Sequence, residues 1–184
     1  MRVFLAGIIQ GSYQGLELHD QSYRDRLKTI LRTYLPDAEV CCPIDMHPSG
    51  VDYALDQQRT AFAELVETAS QVDLVVAYLP QASLGTAIEM WEAYHHGRPV
   101  VVITPMRENW VINLLARAVF PSLDAFEAFV RDGGLGDLTP PAPLPYEGRG
   151  EPAPPGPALA PRRALRSLRA MCSPFPRREG GLGG

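Results

Sequence analysis

The run from Asp73 to Pro105, DLVVAYLPQASLGTAIEMWEAYHHGRPVVVITP, restricts the fold more than any other part of the chain. One unbroken apolar run opens it and another closes it, as expected of parallel strands covered on both faces. Between them Leu84 to His96 predicts a helix, with Leu84, Ala87, Ile88, Trp91 and His95 as its core stripe and Glu89 off the stripe's centre. In a strand–helix–strand unit of this kind, ligands sit beyond the carboxyl ends of the strands, where Gln81 to Thr86 must lie. That loop is the candidate active site.

Strand and helix alternate along the rest of the chain. Arg2 to Gly7 predicts a strand and Asp20 to Leu35 a helix, with Asp20 as N-cap and Tyr23, Leu27, Ile30, Leu31 and Tyr34 as its apolar stripe. Ala38 to Cys42 predicts a strand, Val51 to Gln71 and Glu108 to Ala118 helices, Val119–Phe120 an edge strand, and Ser122 to Asp132 a helix capped by Ser122. This order predicts the α/β class: a single Rossmann-like or flavodoxin-like sandwich, with a parallel sheet of about five strands flanked by helices. The domain is expected over residues 1–136. Residues 137–184 hold 11 of the 18 prolines and form a Pro/Gly/Arg-rich tail that we expect to be disordered.

Charge narrows the function. Residues 1–136 carry 17 acidic against 10 basic side chains, which argues against a groove for a nucleic acid polymer and favours a small-molecule partner. No apolar run reaches bilayer length, and the N-terminus enters a strand without a signal-peptide layout, so no membrane association and a cytoplasmic location are expected. Cys41, Cys42 and Cys172 suit neither a disulfide framework nor a zinc site.

Three loops carry candidate chemistry. Ser83 is placed to cap the helix that follows, and the amides of Leu84, Gly85 and Thr86 with the helix dipole can hold an anion; the plainer reading is a capped helix. Gly85 leaves room for a ligand, and Glu89, one turn on, is a carboxylate able to attack an electron-poor carbon or simply a solvated acid. The glycine-containing turn from Ile8 to Gly15 is either an anion-holding loop or an ordinary turn. Asp45 is suited to a sugar hydroxyl or to an Asx-turn before Pro48, and His47 is expected to be a solvated loop residue.

With Gly7 after the first strand and Asp73 opening the third, Ser83-Leu-Gly-Thr-Ala-Ile-Glu89-Met resembles the nucleoside 2-deoxyribosyltransferase family, over roughly Arg2 to Asn113. The resemblance implies an enzyme of nucleotide salvage that cleaves or transfers the N-glycosidic bond of a nucleoside or its 5′-monophosphate. Glu89 would be the nucleophile, holding the sugar covalently with retention, and Asp73 would support it. Ser83, where transferases on free nucleosides tend to have aspartate, is similar to the branch of 5′-nucleotide N-glycosidases, as is the turn from Gly7 to Ser12. This implies substrate contacts at Gly7, Ile9, Gln10, Ser83 and Gly85, with Asp45 in support. It also implies a homo-oligomer in which a residue of a neighbouring subunit reaches the site, Asn109 being favoured over Met106 and Asn113, and no metal or organic cofactor. Leu65 stands where the family has an acid beside the leaving group, and Trp91 where it has a small residue. A non-catalytic nucleotide-binding or sensor domain on the same fold is the alternative.

Overall fold

Five apolar stretches pair side by side as parallel strands: β1 (Arg2–Gly7), β2 (Glu39–Cys41), β3 (Leu74–Tyr78), β4 (Val100–Ile103) and β5 (Ala118–Phe120). Their order in the sheet is β2-β1-β3-β4-β5. The computed structural model describes residues 1–11, 13 and 17–138. The proline-rich tail expected from the sequence, and Cys172 within it, lie outside the described residues.

Among the described residues six helices connect and follow the strands: α1 (Ser22–Tyr34), α2 (Pro43–Met46), α3 (Leu55–Gln71), α4 (Leu84–His95), α5 (Trp110–Leu115) and α6 (Leu123–Arg131). Because side chains alternate along a strand, each strand serves two cores. Val3, Leu5, Leu74, Val76, Val101 and Ile103 meet Leu27, Leu31 and Phe126 of α1 and α6. Phe4, Ala6, Val75, Ala77, Val100 and Val102 meet Ala69, Met90, Ala93, Ile112 and Leu115 of α3, α4 and α5. The predicted α/β sandwich is the fold observed.

The register pairs Val3 with Leu74 and runs on until Gly7 meets Tyr78, so β1 and β3 end together. From there the chain returns to β2 on one side and to β4 on the other, and the two departing loops leave a crevice between them. Thr104, buried just past β4, fixes this edge: its hydroxyl donates to the Leu79 carbonyl (2.6 Å) and accepts from the Met106 amide (3.0 Å). Among the described residues no helix is long and apolar enough to cross a membrane.

Three expectations are corrected. The helix expected from Val51 starts at Leu55, because residues 50–52 form a separate 3₁₀ turn and the Ala54 amide is taken up by the Gln57 side chain (3.0 Å). Asp20 lies two residues ahead of α1 and accepts from the backbone amide of Ser22, outside the N-cap position. The largest correction concerns α4. Its buried stripe is Thr86, Glu89, Met90, Ala93 and Tyr94, whereas Leu84 is 85% exposed and Ile88 and Trp91 are about half exposed. Both stripes recur at three and four, so periodicity predicts the helix without choosing its face. The sheet selects the face with Ala93 and Met90, which fit beside Ala6 and Ala77.

Candidate active site

The first turn of α1 holds the end of β1 in place. The Gln21 carboxamide donates to the carbonyls of Ile8 (3.1 Å) and His19 (2.7 Å), and the Tyr23 hydroxyl donates to Ile8 (3.1 Å). The Arg24 guanidinium donates to the Leu5 carbonyl (2.8 Å), the Gly7 carbonyl (3.1 Å) and the Gln21 side chain (2.8 Å), and reaches the Cys42 sulfur at 3.8 Å. Gly7 is needed for this: a Cβ there would overlap the Tyr23 hydroxyl. Tyr23 in turn stacks on Tyr78 at the end of β3, with ring centroids 4.3 Å apart.

Beyond β1 the backbone turns at Gly11 (φ +59°), where a side chain would be strained and would also meet His19. His19 stacks on Tyr13 and is hydrogen-bonded to the Gln81 carboxamide (2.8 Å), which ties the loop after β1 to the loop after β3. Ile9 is half-buried and its carbonyl accepts from the His19 amide (2.8 Å), while Gln10 is exposed.

At the start of α4, Ser83 occupies the N-cap position without capping: its hydroxyl accepts from the Thr86 hydroxyl (3.1 Å), and among the described residues no side chain takes the first amides of the helix. The expected cap is therefore absent, and those amides carry the positive end of the helix dipole outward. Gly85 leaves space, with the Phe62 ring 3.8 Å from where its Cβ would be. Glu89, one turn on, is only 6% exposed. Burial pushes its carboxyl up to about 8, and the positive charge of Arg24 opposes that shift.

The structure thus brings Gly7, Ile9, Gln10, Ser83, Gly85 and Glu89 to the carboxyl edge at the β1–β3 switch point. It does not bring Asp73 there. Asp73 precedes β3 at the amino edge, where its carboxylate accepts from the Arg2 amide (2.7 Å). Asp45 is half-exposed and paired with Lys28 of α1 (2.6 Å). Asn109 caps α5, its side-chain oxygen accepting from Val111 (3.0 Å) and Ile112 (3.2 Å). His47 is not solvated as expected: it lies edge-on against Tyr53, with Glu64 at 3.6 Å, and its Nε2 is buried without a hydrogen bond. These three residues help to line a surface cleft of ≈ 400 Å³ beside α3. Trp91, which stands where the family has a small residue, lies on the outer side of α4, half exposed and stacked on His95. The residue missed in the sequence is Arg24. Its signal was its place in the stripe, three residues before Leu27 and seven before Leu31, where a cation is out of character.

No family model matches the sequence, and no curated protein matches it. Among solved structures, the chain is similar to a 2-deoxyribosyltransferase from Bacillus psychrosaccharolyticus (TM-score 0.56, 19% identity), over 77% of this chain and 100% of that one. The fold is that of a 2-deoxyribosyltransferase. A conserved protein from Enterococcus faecalis matches at TM-score 0.50 and 20% identity, over 72% of this chain and 98% of that one. A CMP N-glycosidase from Clostridium botulinum matches at TM-score 0.42 and 17% identity, over 74% and 99% of the two chains.

Proposed function

We propose that this chain is an N-glycosidic-bond enzyme acting on a nucleoside or nucleoside 5′-monophosphate, with Glu89 as the nucleophile and residues 1–136 as the working unit. One observation carries the reading: a carboxylate buried one turn inside a helix whose N-cap side chain leaves the first amides uncapped. A buried acid is costly to the fold, and this one stands where α/β sheets bind ligands. A fold in common with a 2-deoxyribosyltransferase supports the choice of substrate class.

In the proposed reaction the sugar's 5′ end rests on the α4 amides and Ser83, with a 5′-phosphate suited to the dipole there. A Glu89 oxygen attacks C1′ as the C1′–N bond breaks, and the bonding pair leaves with the base, which takes a proton from water. Water or the nitrogen of a second base then attacks C1′, losing a proton and releasing the carboxylate with net retention. Because the free carboxyl ionises near pH 8, kcat/KM is expected to rise about tenfold per pH unit below that value and level off above it.

We also propose that the chain works as a homo-oligomer joined through the outer face of α3, α4 and α5. Leu84, Ile88 and Trp91 lie exposed there with Phe62, Trp110 (83% exposed) and Leu114. Large apolar side chains exposed on three successive helices suit a surface that a second copy covers.

Incubating the full chain with nucleosides and their 5′-monophosphates, with and without a second base, tests the activity through chromatography of the released or exchanged base. Glu89→Gln is expected to lower turnover on the order of 10⁴-fold. Turnover that survives the substitution rejects Glu89 as nucleophile. No turnover by the wild type, with nucleotide binding intact, leaves the sensor domain as the better reading.

A further inference from the structure

His47 closes the single turn of α2, and its backbone is fixed on both sides: the amide donates to the Pro43 carbonyl (2.9 Å) and the carbonyl accepts from the Gly50 amide (3.0 Å). The imidazole is thereby held against α3. Its Nδ1 lies 3.5 Å from the Tyr53 hydroxyl, and its Nε2 lies 3.6 Å from a Glu64 oxygen, too far for a hydrogen bond. That Nε2 is buried and has no hydrogen-bond partner among the described residues. A buried polar atom left unpaired costs about 1–3 kcal/mol. His47 and Glu64 line the cleft of ≈ 400 Å³ beside α3, and none of the residues given a part in the proposed reaction lines it with them.

The separation of the two atoms decides what fits between them. A water about 2.8 Å from each would have to bond at an angle of roughly 80°, well below the tetrahedral value. A metal ion about 2.1 Å from each would be held at roughly 118°, close to the tetrahedral angle that zinc takes. The imidazole is arranged as metal-binding imidazoles are: with its Nδ1–H turned to the Tyr53 oxygen, Nε2 presents a lone pair on the side of the carboxylate. The Glu64 side chain is 55% exposed, so it can swing aside to admit an ion.

We propose that His47 Nε2 and a Glu64 carboxylate oxygen form a binding site for one divalent cation of the zinc class, apart from the residues proposed for catalysis. One nitrogen with one carboxylate oxygen suits zinc, cobalt or nickel better than magnesium or calcium, which seek oxygen ligands. Among the described residues no three His, Cys, Asp or Glu side chains converge, so the chain supplies two ligands and water completes the coordination shell. The ion is therefore exchangeable. Bound there, it pairs the orphaned nitrogen and ties the turn after β2 to α3.

The test titrates zinc chloride into the full chain, freed of metal by a chelator, and follows the imidazole ¹⁵N signals by NMR, His47 being assigned by its loss in His47→Gln. Zinc is expected to shift the His47 Nε2 signal to saturation while Nδ1 keeps its proton. Glu64→Gln is expected to raise the zinc concentration required by at least about tenfold, and His95→Gln, outside the cleft, to leave it unchanged. Magnesium chloride at the same concentrations is expected to leave the His47 signal in place. A His47 signal unmoved by zinc overturns the proposal, and so does a Glu64→Gln chain that binds zinc as tightly as the wild type. An equal response to magnesium overturns the class of ion. Should His47→Gln fail to fold, the signal is assigned instead by through-bond correlation to the His47 backbone, and the Glu64→Gln comparison decides.

Discussion

The two faces of α4 are built oppositely to what their chemistry suggests. The outward face carries Leu84, Ile88, Trp91 and His95, and the inward one Thr86, Glu89, Met90, Ala93 and Tyr94. On transfer energies alone the outward set belongs inside. A sheet built from Ala6, Ala77 and valines has room for Ala93 and Met90 but not for a tryptophan. Burial here follows shape, and the inner face accepts a charge that the outer face never has to tolerate. Under the proposed function, the inner face does the chemistry and the outer face finds a partner.

Several substitutions would sharpen or break this contrast. The largest effect concerns the buried acid. The Glu89 carboxyl ionises at about 8 in the folded chain against 4.5 for the free side chain, so the folded state binds the proton more tightly. Its contribution to stability is therefore complete below pH 4.5 and lost as pH rises through 8, a fall on the order of 4 kcal/mol. Urea unfolding at pH 5 and pH 9 should show this loss in the wild type and its absence in Glu89→Gln. Equal pH dependence in both would mean the acid is hydrated.

Next in size is the packing difference. Met90→Ala is expected to destabilise by about 2–5 kcal/mol, and Ile88→Ala, two residues earlier on the opposite side of the helix, by less than about 0.5. Comparable losses from both would put the outer stripe in a core. Third, Ile88→Asp with Trp91→Asp should raise the dissociation constant of the oligomer by at least about 100-fold, read by sedimentation, with helical content unchanged. A wild type that sediments as a monomer at every concentration would remove the proposed role of that face. The smallest effect belongs to the opposite edge of the sheet. Asp73→Ala should cost about 1 kcal/mol through the lost bond to the Arg2 amide and leave turnover intact. A collapse in kcat without a change in stability would return Asp73 to the site.

The five strands and the longer helices were legible in order, from unbroken apolar runs and from helical periods, whereas α2, a single turn at Pro43–Met46, was read as loop because four residues carry no period. The loop at Gln81 to Thr86 was legible because parallel strands present their ligands at one edge only. That same rule places a residue opening a strand at the far edge, which is why Asp73 stands apart from Glu89. The face of α4 was not legible, since two stripes with the same spacing compete and only the sheet's shape decides between them. The Ser83 hydroxyl was hidden for another reason: whether it turns to an amide or to Thr86 depends on a rotamer that spacing does not encode.

The outer surface of the helical layer has one more consequence, and it is optical. The sequence has two tryptophans, and both are there: Trp91 on α4 and Trp110 on α5. Neither ring is buried in the core, so intrinsic fluorescence of this chain reports what covers that surface more than whether the core has melted. Emission should shift to shorter wavelength as concentration drives copies together. In a separated chain it should barely change through the urea transition that circular dichroism follows.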